Sequence, residues 1–206
     1  MTETNVQENG QPMLPDESLG RRLIHVCGSA FPALYVLPFV AWRHVVILLV
    51  VATAVAALLE LLRLQGGLDL FLFEFLRDYE TDSPAAYLLF MSSATAVAVV
   101  FEPQTAIPAI LMLTLADPIA GVASVDELRR VKRPKALVTM FLMCALLTLP
   151  FAHDRLLAVV FGGLGAMLAD GVKPTVGGIV LDDDLTIAPA GAVGIWIGLQ
   201  LSGILV

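Results

Sequence analysis

The stretch His44–Arg63, "HVVILLVVATAVAALLELLR", runs from Val45 to Leu59 without an ionisable side chain and then meets Glu60 and Arg63. About 20 predominantly apolar residues are needed to carry a helix across the hydrocarbon core of a bilayer. The sequence therefore predicts a membrane span over 44–62. Working outward, six further apolar runs of similar character predict spans over 23–42, 84–101, 106–124, 136–152, 155–169 and 187–206. Of the 206 residues, 58% are hydrophobic and 15% charged, and the mean hydropathy is +0.85. Those values exclude a soluble domain. The expected fold is an all-α integral membrane protein of about seven transmembrane helices.

The basic residues fix an expected orientation. Arg21, Arg22, Arg63, Arg77, Arg129, Arg130, Lys132, Arg133, Lys135 and Lys173 fall on one side of such a bundle, and only Arg43 and Arg155 on the other. Lys and Arg accumulate on the cytoplasmic side, so the N-terminus is predicted to be cytoplasmic in a multi-pass protein of the cell membrane. Residues 68–82, "LDLFLFEFLRDYETD", alternate apolar and charged groups and are too short to cross. They predict an amphipathic helix near 68–79 lying on the inner surface.

Residues 1–20 are polar and acidic, with no basic stretch ahead of an apolar one, and read as a disordered tail rather than a signal peptide. Residues 21–206 read as a single membrane domain, with no internal repeat and no long linker. Cys27 and Cys144 both fall inside apolar runs and read as small core residues rather than a disulfide or zinc site. The net charge of −7 is compatible with a cation-binding surface, and no nucleic-acid partner is expected.

With that orientation, the ionisable groups in or beside the spans collect at the cytoplasmic ends of their helices. His25 opens the first span, Glu60 and Arg63 close the second, Asp117 lies late in the fourth, and Asp170 follows the sixth. Asp182, Asp183 and Asp184 precede the last. Ionisable groups inside spans are costly unless paired or wet, and mark functional sites by default. Pro118 follows Asp117 and removes a backbone donor, so the helix is expected to break there and free its carbonyls.

Asp117, Asp170 and Asp183 offer the hard oxygen ligands that Mg²⁺ takes when it also holds phosphates. The aspartates at 182 and 184 read equally well as a solvated loop. Glu60 and Arg63, three residues apart on one face, read at least as well as an interfacial ion pair as a catalytic couple. His25 reads as a proton carrier, a phosphate contact or a hydrogen-bonded structural residue, and Arg22 beside it favours phosphate. The run "ELRRVKRPK", with five positive charges in nine residues, sets topology, holds anionic lipid, or clamps a polyphosphate through Arg133 and Lys135. Carboxylates, a divalent cation and basic groups together are what phosphoryl transfer requires.

Taken in order, these motifs resemble the dolichol kinase and polyprenol kinase family, which includes phytol kinases and is related to CDP-diglyceride synthases. "RRLIHVCGS" (21–29) resembles that family's Arg-(Arg/Lys)-x-x-His opening, and "ELLR" (60–63) its Glu-x-x-Arg. "ADPIAG" (116–121) is similar to its Gly-Asp-(Pro)-x-Ala-x-x-Gly segment, and "DDLTIAP" (183–189) to its Asp-Asn-x-x-Ile-Pro element. The acidic composition looks like that of halophilic archaeal members.

The chain departs from the pattern at Ala116, at "KALVTM" from Lys135 where the family has Lys-(Ser/Thr)-x-Glu-Gly, at Asp184 and at Ala188. The resemblance implies transfer of the γ-phosphate of CTP to the hydroxyl of a membrane polyprenol, with Mg²⁺ or another divalent cation. It implies that Asp117 holds the metal and the nucleotide phosphates, that Lys135 contacts phosphate, and that Asp170 and Asp183 complete the acidic, metal-holding and catalytic site; His25 is a further catalytic candidate, and Arg133, Arg22 and Arg63 are candidate phosphate contacts, with Glu60 in support. A cytidylyltransferase acting on a phosphorylated lipid precursor is a second expectation. A small transporter is a third, its path lined by the glycine-rich "GGLGAM" (162–167) and "GAVGIWIG" (191–198).

Overall fold

The structure, a computed structural model, describes residues 5–6, 12–13, 15–68, 70, 73, 76, 80–81, 83–123, 134–172, 175–176, 179–180 and 182–204. Helix α1 covers Pro15–Cys27, α2 Ala30–Ala33, α3 Trp42–Gly66, α4 Ala86–Val100 and α5 Pro103–Leu111. A wide π-type turn over Met112–Ala116 joins α5 to α6, Asp117–Ala123. Then follow α7 (Pro134–Ala152), α8 (Leu156–Gly171) and α9 (Asp183–Ile204). Two-residue antiparallel pairings join Asn5–Val6 to Pro12–Met13 and Thr175–Val176 to Ile179–Val180.

Among the described residues, four stretches are long and apolar enough to cross a membrane: Trp42–Gly66, Pro103–Val122, Pro134–Ala152 and Asp183–Ile204. Helices α4 and α8 are apolar but shorter. The chain is an all-α, multi-pass membrane protein.

The expected helix over 23–42 is not continuous. It ends at Cys27, where the Gly28 and Ser29 amides turn back to the His25 and Val26 carbonyls at 2.9 and 3.0 Å; Gly28 lies against α4, and a Cβ there would be 2.3 Å from the Phe90 ring. After α2 and a 3₁₀ turn over Leu34–Val36, Pro38 excludes the helical conformation from the residue before it, and Leu37 is extended at φ −72°, ψ 131°. His25 stacks obliquely on Phe90, 5.3 Å between centroids, and the Trp42 indole N–H donates to the Ala98 carbonyl at 3.2 Å. Between those two points α4 advances about 12 Å at 1.5 Å per residue, so residues 28–41 run along α4 towards the far end of the bundle as a broken segment. Hydropathy registers the apolar content of this segment and not its breaks.

Pro118 does not break its helix as expected. The turn widens ahead of it, the Asp117 amide reaching the Met112 carbonyl, and the helix continues to Ala123. Such single π-turns concentrate at functional sites. The Pro103–Val122 stretch is 67% buried, against 22% for α3, which makes it the central helix, around which α4, α7 and α9 pack.

Helices α8 and α9 touch backbone to backbone. A Cβ on Gly194 would lie 2.2 Å from the Phe161 carbonyl oxygen, one on Gly198 2.4 Å from the Ala158 Cα, and one on Gly165 2.4 Å from the Ala190 oxygen. Small residues permit this approach where helices gain their contact by packing rather than by expelling water.

Helix α1 begins at Pro15, inside the segment expected to be a disordered tail. Proline is favoured at the first helical position. Cys144 is buried as expected, whereas Cys27 is exposed, and both thiols are free. Most of the expected surface helix near 68–79 lies outside the described residues; single turns join the Leu70 carbonyl to Phe73 and the Phe73 carbonyl to Leu76.

Candidate functional site

Helices α3, α6 and α8 end, and α4, α7 and α9 begin, at one end of the bundle, where the polar groups collect. Asp117 enters from the π-turn of the central helix, Asp170 from the penultimate residue of α8, and Asp183 from the first residue of α9. One carboxylate oxygen from each lies within 4.8 Å of the other two. Asp170 is fully buried. Asp117 and Asp183 are half-buried.

Negative charge is favoured at a helix N-terminus and disfavoured at a C-terminus. Asp183 sits on the favourable end of α9, but Asp170 sits on the unfavourable end of α8, among carbonyls that the helix leaves unsatisfied. Residues that break a local rule inside an otherwise consistent fold concentrate at functional positions. Three carboxylates this close repel one another in a low-dielectric setting, and a hard divalent cation offsets that repulsion while taking oxygen donors of this kind. The donor set fits Mg²⁺ or Mn²⁺.

The three consecutive aspartates do three different things. The Asp182 carboxylate accepts from the Asp184 amide at 3.1 Å, and its carbonyl accepts from the Leu185 amide at 3.1 Å and the Thr186 hydroxyl at 3.3 Å. It is the N-cap of α9, a position at which an Asp side chain holds the first free amides. Asp183 joins Asp117 and Asp170. Asp184 is buried, with its Oδ1 3.3 Å from His25 Nε2. From sequence, 182 and 184 read at least as well as a solvated loop as they do as ligands; only the start of α9, which separates successive side chains by about 100°, tells them apart.

His25 lies between two carboxylates. Its Nδ1 is 4.0 Å from Asp117 Oδ2, its Nε2 faces Asp184, and its side chain is 12% exposed. His25, Asp117 and Asp184 thus form a second set with atoms within 4.8 Å, sharing Asp117 with the first. Arg22, half-buried, is one turn back on the His25 face of α1. Lys135 is exposed in the first turn of α7. Arg133 lies outside the described residues.

Glu60 and Arg63 form a separate network. Arg63 donates to both Glu60 oxygens, Nε at 3.0 Å and one terminal nitrogen at 2.7 Å. The same guanidinium reaches the carbonyls of Thr81, Glu80 and Ser83 at 2.8, 2.9 and 2.8 Å. Glu60 also accepts from the Ala85 amide at 2.8 Å and from the Tyr87 hydroxyl. Phe73 lies under the guanidinium at 5.9 Å and stacks on Tyr87.

The ion-pair reading of these two residues is the one the geometry bears out. They lock the chain entering α4 onto the end of α3. Tyr87 and the carbonyls of Glu80, Thr81 and Ser83 carry no sequence signal that would single them out. No family model, no curated protein and no solved structure matches this chain.

Proposed function

We propose that the chain is a membrane-embedded phosphotransferase that moves the γ-phosphoryl group of CTP to the hydroxyl of an isoprenoid alcohol at the cytoplasmic end of the bundle. The observation that carries this reading is the meeting of Asp117, Asp170 and Asp183, from three helices far apart in sequence, beside His25. The sequence resemblance supplies CTP and the alcohol. In this reading the polypeptide crosses the bilayer seven times, the first crossing being the broken segment after His25, with the N-terminus cytoplasmic.

Asp117, Asp170 and Asp183 would hold the divalent cation, which supplies neutralisation of charge on the nucleotide phosphates. Arg22, Lys135 and Arg133 would contact those phosphates from the rim. The alcohol, its tail in lipid, presents its oxygen to the γ-phosphorus; a new P–O bond forms as the bond to the β-phosphate oxygen breaks. The hydroxyl proton passes to His25 or an adjacent carboxylate, and CDP leaves. Positioning and charge neutralisation account for most of such catalysis.

The test is the purified protein in lipid nanodiscs with γ-labelled CTP, Mg²⁺ and geranylgeraniol. Labelled lipid phosphate and CDP are expected, and both are lost in Asp117→Asn. Pyrophosphate released from CTP with a phosphorylated lipid, and no CDP, would transfer the assignment to a cytidylyltransferase. Turnover undiminished in Asp117→Asn would remove the site from the reaction.

A further inference from the structure

We infer that the edge of the bundle formed by α8 thins the bilayer against it, so that lipid headgroups lie level with Asp170 and Asp183. Helix α8 presents one apolar stripe to the outside, in which Leu156, Val160, Leu168 and Val172 are all exposed. In sequence, Arg155 precedes this stripe and Lys173 follows it. From Leu156 to Val172 the helix advances about 24 Å at 1.5 Å per residue, against a hydrocarbon core roughly 30 Å thick. Any tilt of α8 shortens the band further.

The neighbours of α8 do not lengthen that band to the full core. Gly198 against Ala158, Gly194 against Phe161 and Gly165 against Ala190 fix an antiparallel register with α9. In that register Asp183 is level with Val172, and the exposed Gln200 with Leu156. On α7, which also packs on α8, the exposed Lys135 and His153 stand about 27 Å apart along the helix.

Helix α3 offers a longer band. Its outward face runs from His44 to Gln65 without a charge, about 32 Å, because the Glu60 and Arg63 side chains are enclosed against each other. Helix α3 packs on α4, whereas α8 packs on α7 and α9. One bundle thus meets the bilayer with a full-length apolar band on one edge and a short one on another.

A band shorter than the hydrocarbon core is met by thinning of the bilayer, by flanking side chains that reach outward, or by association of copies. Arg155 is held by its neighbour Asp154 at 3.3 Å and does not extend the band. Association in lipid favours small residues at the contact, and the glycines of α8 face inward instead: Gly162 towards Ile195, Gly163 towards Phe141 and Gly171 towards Leu137. The outward stripe is leucine and valine, which suits acyl chains. Asp170 is the penultimate residue of α8, so a thinned annulus brings water and headgroups to the carboxylates that full-thickness lipid would cover. Depth alone decides this, whatever reaction those carboxylates serve.

The test is nitroxide depth measurement on the full chain in dioleoylphosphatidylcholine vesicles, from the balance of collisions with oxygen and with a water-soluble nickel chelate loaded on both sides. Cys27→Ser removes the exposed thiol, and Cys144 is enclosed. Labels go on Leu156→Cys, Val160→Cys, Leu168→Cys and Val172→Cys, with Leu48→Cys and Leu62→Cys, inside the two ends of the α3 band, as references. All six positions are exposed, so a cysteine there removes no internal contact. Nickel collisions at positions 156 and 172 are expected to be several-fold more frequent than at the other four, and to stay so in dierucoylphosphatidylcholine, whose longer chains increase the mismatch.

Oxygen-dominated collisions at position 156 or 172 overturn the inference, since they place an end of α8 in unthinned hydrocarbon. Dipolar coupling between labels at position 168 on different copies also overturns it, by putting a second copy rather than lipid on this edge.

Discussion

Arg63 grips Glu60 through two nitrogens, at 2.7 and 3.0 Å, and with the same guanidinium holds three carbonyls of the chain leading into α4. Both side chains are almost fully enclosed. Removing one member of a buried charge pair leaves the other uncompensated, at a cost of about 3–5 kcal/mol. Arg63→Ala is therefore expected to lower the unfolding midpoint in detergent sharply. Arg63→Lys recovers only part, since an ammonium lacks the planar fork that spans both carboxylate oxygens and the loop. Thermal unfolding followed by circular dichroism checks this.

Asp117, Asp170 and Asp183 bind as a set in the proposed site, so loss of any one should be felt by the cation itself. Titration of Mn²⁺ followed by electron paramagnetic resonance is expected to give saturable binding in the wild type. Each single Asp→Asn change should weaken it by about 10-fold or more. Binding that survives all three substitutions would place the cation elsewhere.

Pro118 forces the wide turn that ends at Ala116, and an alanine there restores a backbone donor. Proline costs about 3 kcal/mol in a helix interior, so Pro118→Ala is expected to hold or raise stability. Relaxation of the π-turn to an ordinary α-turn would rotate Asp117 by about 100°, out of reach of Asp170 and Asp183. Greater thermal stability together with weaker Mn²⁺ binding is the expected signature, a common exchange at functional sites.

Gly194 and Gly203 lie on the same helix in opposite situations. A Cβ on Gly194 meets the Phe161 carbonyl oxygen at 2.2 Å, whereas one on Gly203 meets nothing within 4 Å. Gly194→Ala is expected to cost about 1–3 kcal/mol as overpacking, separating α8 from α9 and with them Asp170 from Asp183. Gly203→Ala should be neutral. Midpoints of the two variants, measured side by side, provide the comparison.

The apolar runs announced α3 and α7–α9 because length and hydropathy are local properties. The expected span over 23–42 is broken by the tight turn at Gly28 and the extended Leu37 before Pro38, backbone features that hydropathy does not register. Asp117, Asp170 and Asp183 were nominated one by one from their residue type and depth. Their meeting is a product of helix packing, which no single stretch of sequence contains. The approach of Asp184 to His25 is illegible for the same reason, since it depends on the two ends of the chain packing together. Glu60 and Arg63 were visible as an i, i+3 pair, but the loop they hold was not.

The start of α9 has a consequence for how this gene can vary. Three adjacent codons supply a helix cap, a member of the carboxylate triad and the carboxylate that faces His25, sorted only by the angle at which each leaves the helix. Insertion or deletion of one residue anywhere between the cap and Ile187 would hand each acid to its neighbour's task, a frame within the fold as strict as the reading frame that encodes it.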